Sequence, residues 1–217
     1  DHVRNLYDVS EKYGSMLKVE AILCNIPSAV EGLKFNGEAG TGIADWRDRF
    51  EKRLQRNFGC SIYKVHSGQT LKFAGAEIEF LFTHEDIYPR TIQCGNDSSL
   101  CFRLTMNERS MLFLGDVQEK YACKILVDMY GSSLRSDCIQ VAHHGWRTDA
   151  YLIYEQAQAE YYLWPEQATE WERIKNYISS KWILDRIPEN RVFRCAQGTV
   201  TCYFRPDALE FEYRNPT

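Results

Sequence analysis

Met111-Leu-Phe-Leu-Gly-Asp116 and Cys138-Ile-Gln-Val-Ala-His143-His144-Gly145 are two apolar runs of strand character, each ending in a metal-competent side chain beside a glycine. The glycines let the backbone turn tightly where a strand gives way to a loop. A carboxylate and an imidazole are ligand types that hold zinc or manganese in hydrolytic sites. Taken singly, each run has a plainer reading. Asp116 lies between a predicted strand and a predicted helix and could simply cap that helix, and a tandem histidine at a strand end need bind nothing.

Around these runs the pattern alternates between strands and helices. Residues 61–66, 70–73 and 77–82 read as strands, with a turn at Gly75, and 100–105 and 111–114 flank the polar turn 106–109 as a hairpin. The apolar spacing predicts helices over 117–130, 151–159 and 168–181, and strands over 138–142 and 161–164, the latter ending at Pro165. Residues 191–194, 200–204 and 209–213 read as an antiparallel meander. At the amino end, 3–13 has a helical period stopped by Gly14, 19–24 reads as a strand, 28–43 as a glycine-rich loop, and 45–57 as a charged amphipathic helix. With no GxGxxG or GxxxxGK[ST] loop, the expected class is α/β (α+β): layered sheets covered by helices, in a single domain over 1–217.

The chain is 44% hydrophobic, enough for a sizeable core, and its net charge of −4 supplies no broad positive field for nucleic-acid phosphates. Eight cysteines show no CxxC spacing and read as small buried hydrophobes; Cys195 and Cys202 flank a predicted turn and could face each other across it. No apolar run approaches the roughly 20 residues of a membrane span, so a soluble domain without membrane contact is expected. Because the chain opens on Asp1-His2-Val3 without a methionine, a fragment is expected as well. The basic helix around Arg47, Arg49, Lys52, Arg53 and Arg56 interleaves acids and reads as a solvated face.

The segments Asn96-Asp-Ser-Ser-Leu-Cys-Phe-Arg-Leu104, Phe113-Leu-Gly-Asp116 and Val141-Ala-His-His-Gly145 resemble, in order and spacing, the NDSSLVLRL, LLTGD and KVAHHGS stretches of ComEC-type metallo-β-lactamase domains. The closing Gln197-Gly-Thr-Val-Thr-Cys202 is similar to that family's final GTI strand pair. The opening Asp1-His2 looks like the last two letters of its HxHxDH metal motif. The resemblance implies a four-layer αββα sandwich lacking the start of its first sheet, and a metal-dependent phosphodiester hydrolase, nuclease-like, with single-stranded DNA or another phosphodiester as substrate. Another ester hydrolase, or a degenerate binding domain, is the alternative.

Carried over by position, Asp1, His2, Asp116 and His144 match metal ligands, with His143 as the alternative to His144, and Asp116 matches the metal-bridging catalytic aspartate. The intact protein is expected to hold two Zn2+ or Mn2+ ions, and this chain one at most, so that by itself it is inactive. Asn96 stands where many superfamily members have a histidine. Asn96, His84, Trp146 and Arg147 are candidate substrate contacts; Trp146 replaces the family's usual serine and reads as a structural wedge or a stacking platform. A bacterial cytoplasmic setting is expected, or attachment to a membrane protein if the chain is ComEC-like.

Overall fold

The computed structural model describes residues 4–27, 39–92 and 94–214. The protein is a mixed α/β structure organised on a seven-stranded sheet in the order β3-β4-β5-β6-β7-β8-β9. These strands are β3 (Thr70–Phe73), β4 (Ala76–Phe82), β5 (Cys101–Met106), β6 (Arg109–Phe113), β7 (Cys138–Gln140), β8 (Tyr161–Trp164) and β9 (Val192–Arg194). From β3 to β6 they run antiparallel, β3–β4 and β5–β6 as hairpins and β4–β5 joined by the longer segment 83–100; from β6 to β9 they run parallel. Parallel neighbours need crossovers. Helix α3 (Lys120–Tyr130) connects β6 to β7, α4 (Tyr151–Ala157) connects β7 to β8, and α5 (Trp171–Ile174) with α6 (Ile178–Arg186) connects β8 to β9.

The two faces of the sheet separate by strand alternation. Leu112, Ile139, Tyr162 and Trp164 enter the core with Leu126 of α3, Tyr154 of α4 and Ile183 of α6. Met111, Cys138, Tyr161 and Leu163 point the other way, against Leu209, Phe204 and Phe211 of the hairpin formed by β10 (Thr199–Phe204) and β11 (Leu209–Arg214). Helices therefore cover one face and a second small sheet covers part of the other. Towards the amino end, β1 (Ala21–Cys24) pairs in parallel with β2 (Ser61–Lys64), and α1 (Arg4–Tyr13) meets α2 (Ala39–Phe58), with Tyr7 edge-on to Phe50 at 5.1 Å. No helix of the described residues is long and apolar enough to cross a membrane.

Several expectations need correction. The closing meander is a two-stranded hairpin, because its expected first strand is β9, which the α5–α6 crossover delivers to the edge of the large sheet in parallel. The single helix over 168–181 is two, interrupted at 175–177, and the second runs on to Arg186; in its first turn the Ser179 and Ser180 hydroxyls donate to the Thr148 and Gly145 carbonyls. Helix α3 starts at Lys120, not 117, since the Gln118 and Glu119 amides donate to Asp97 Oδ1 of the 95–98 turn. Of the expected loop, 28–38 lies outside the described residues, and 39–43 belongs to α2. None of the eight cysteines forms a disulfide, Cys195 and Cys202 included.

Candidate metal centre

The carboxyl ends of β6, β7 and β8 lie side by side, the position at which open α/β sheets form a crevice. After β6 the chain turns at Gly115 (φ +56) and presents Asp116. After β7 it enters the tight turn Ala142–Gly145, in which His143 and His144 both adopt left-handed conformations, φ +49 and +55. Such backbone is costly for residues with a Cβ and persists where surrounding structure enforces it.

Gln140 joins the two turns: its Oε1 accepts from the Leu114 and Gly115 amides at 3.0 and 2.9 Å. The His143 amide donates to the Gly115 carbonyl at 2.9 Å, and the Asp116 amide to Ser99 Oγ at 2.9 Å. The two runs are thereby bonded before any ligand is considered.

The resulting geometry distinguishes the histidines. His144 Nδ1 lies 2.6 Å from the Pro165 carbonyl, which only accepts, so Nδ1 carries the proton and Nε2 is turned to Asp116, 3.5 Å from Oδ1. Both ring nitrogens of His143 face other protein groups: Nε2 lies 3.1 Å from Asn96 Nδ2 and Nδ1 lies 3.3 Å from the Arg147 carbonyl. Asn96 also donates to Gln118 Oε1 at 2.8 Å. Of the two, His144 has the orientation of a ligand, its other nitrogen anchored on a carbonyl as in metal-binding imidazoles generally.

Two ligands of one tetrahedral zinc lie about 3.3 Å apart, given bonds of about 2.0–2.1 Å; the Asp116–His144 separation fits a shared cation. Among the described residues, no cluster of three or more His, Cys, Asp or Glu could complete a site. Asp1 and His2 lie outside the described residues. The residues described thus fit part of a coordination sphere.

Asn96, Asp116, His143, His144 and Trp146 line one cleft of about 460 Å³ with Gln167 and Glu170. The Trp146 ring carries the Arg173 guanidinium at 4.5 Å and tilts against Tyr177 at 6.2 Å. Arg147 is exposed, reaches His143 through its carbonyl and does not line the cleft. His84 is buried in the turn capped by Thr83 and is not among the residues that line this cleft.

No protein-family model matches the sequence, and no curated protein matches it with significance. Solved structures do resemble the fold. The metallo-β-lactamase fold protein YhfI from Bacillus subtilis superposes with a TM-score of 0.42 at 13% identity over 75% of this chain and 58% of its own. A new diphosphatase from the PhnP family gives 0.39 at 12% identity, covering 87% of this chain and 62% of its own. The E377D mutant of the β-hydroxylase CmlA gives 0.33 at 16% identity, covering 64% and 29%. The chain spans less than two thirds of each of these structures.

Sequence reasoning missed Gln140, Ser99, Gln167 and Glu170. A signal existed for the first, a polar residue interrupting the apolar run 138–142; Gln167 and Glu170 reach the cleft from the end of β8, and nothing in their own segment marks them.

Proposed function

We propose that the protein is a metal-dependent hydrolase with a metallo-β-lactamase αββα fold that cleaves phosphodiester bonds, with single-stranded DNA as the substrate class of a ComEC-like enzyme. One observation carries the reading: Asp116 and His144 Nε2 face each other at 3.5 Å, at the ends of adjacent strands, with the far side of the imidazole anchored. The order of the motifs in the sequence supports it too. Asp116 and His144 would hold Zn2+ or Mn2+, and Asp1 and His2 are the proposed further ligands. When bound, a divalent cation there supplies Lewis acidity and lowers the pKa of water.

The chain's own side chains orient and enclose. Gln140 fixes both ligand-bearing turns, Asn96 engages His143, and Asp116 directs the attacking water by accepting from it. Trp146 offers a ring face to a base or an aromatic leaving group, and Arg147 an exposed cation beyond the cleft. A non-catalytic binding domain is the second reading, favoured by the lack of a third ligand among the described residues.

The test is hydrolysis of bis(p-nitrophenyl) phosphate and of oligothymidylate, with Zn2+ or Mn2+, by the protein at its natural length. Metal-dependent turnover that falls to background in Asp116→Asn is expected. Turnover that survives this substitution removes the mechanism, and binding without turnover under either metal selects the second reading.

A further inference from the structure

Pro165 and Glu166 follow β8 directly, and they connect the metal centre to a buried ion pair. The Glu166 side chain is completely buried and accepts from Arg194 Nε at 2.6 Å; its Oε2 has no hydrogen-bond partner among the described residues. The carboxylate's hold therefore rests on Arg194. Arg194, the last residue of β9, stacks its guanidinium 3.4 Å over the Trp171 ring, and its amide donates to Tyr213 Oη at 2.7 Å. Trp171 meets Trp164 edge-on at 5.3 Å, and Trp164 Nε1 donates to the His144 carbonyl at 2.9 Å. Ring and backbone of His144 thus both rest on this cluster, the ring through the carbonyl that immediately precedes Glu166. A buried ion pair is a poor source of stability compared with apolar side chains of the same size, which leaves the fixing of a geometry as its use.

We propose that the Glu166–Arg194 pair is a positioning device for His144. By tying the residue after Pro165 to β9 and Trp171, it fixes the Pro165 carbonyl, which keeps the imidazole proton on Nδ1 and turns Nε2 to Asp116. The proposal rests on the reading of Asp116 and His144 as joint ligands, but its first readout needs no metal.

The test is the 15N spectrum of the His144 ring in the metal-free protein, at a pH where the ring is neutral, followed by zinc titration against a chromophoric chelator. The wild type is expected to show the Nδ1–H tautomer alone. Glu166→Ala is expected to show both tautomers and to bind zinc about tenfold more weakly, the low end of what outer-sphere changes cost. Glu166→Gln, which can still accept from Arg194, should restore the wild-type pattern. Should Glu166→Ala fail to fold, the Glu166→Met/Arg194→Met double variant, which leaves no orphaned charge and keeps bulk over Trp171, gives the same readout. A folded variant of either kind with the Nδ1–H tautomer and unchanged zinc affinity overturns the proposal. A tautomer that responds as expected in a protein that binds no zinc supports the positioning role and removes the ligand assignment.

Discussion

The two turns that meet in the cleft are built in opposite ways. In the turn after β6 only Gly115 is left-handed, which costs a glycine little. In the turn after β7, two histidines in succession are left-handed before Gly145 is, at φ +83. Each such histidine costs about 1–3 kcal/mol. The buried core holds this turn: Tyr154 Oη accepts from the Ala142 amide at 3.1 Å, Trp164 Nε1 donates to the His144 carbonyl, and Ser180 Oγ donates to the Gly145 carbonyl at 2.8 Å. Asp116 follows relaxed backbone, and His144 is placed by side chains from β8, α4 and α6.

The largest expected effect probes the strained turn. A Cβ at Gly145 would lie 2.5–2.7 Å from the Trp164 indole, in a backbone conformation that disfavours one. Gly145→Ala should lower stability by about 3 kcal/mol, the sum of a left-handed penalty and overpacking, as read by urea unfolding. At Gly115 a Cβ would meet the Ser99 side chain at 3.0–3.1 Å, with φ +56. Ser99 lies in the turn preceding β5 rather than in the core, so Gly115→Ala should cost less, about 1–2 kcal/mol. Equal losses at the two glycines would break the contrast between the turns.

The smallest effect comes from a cluster outside the cleft and serves as a control for both turns. Burial raises the pKa of Glu85, but hydrogen bonds from Lys64, His66 and Asn25 outweigh it and hold the carboxyl at about 2. A lowered folded-state pKa stabilises the protein above the ordinary glutamate range, and the contribution is lost as pH falls from about 4.5 to about 2. Lys64→Met should flatten the stability–pH curve in that window, measured by thermal unfolding, and leave the difference between the two glycine variants unchanged.

The sequence carried the strands best as short apolar runs: Met111 to Leu114 and Tyr161 to Trp164 are apolar at every position because their side chains divide between two faces that are both covered. The hairpin β5–β6 was legible from its polar turn. What escaped was set at a distance. The start of α3 is displaced by Asp97, the helix over 168–181 is interrupted at 175–177, just before Ser179 and Ser180 anchor the new helix on the Thr148 and Gly145 carbonyls, and β9 is assigned to its sheet by a crossover rather than by its own residues. The site shows the same division. Asp116 and the histidine pair stand out as residue types at strand ends, whereas the choice between His143 and His144 depends on the Pro165 carbonyl and Asn96, 21 and 47 residues away.

The most direct test of the central claim is a zinc-binding double-mutant cycle on Asp116→Asn and His144→Gln. If the two side chains share one cation, each single variant loses most of the affinity and the double variant loses little more. Losses that simply add, or zinc affinity untouched by either substitution, would contradict the shared site.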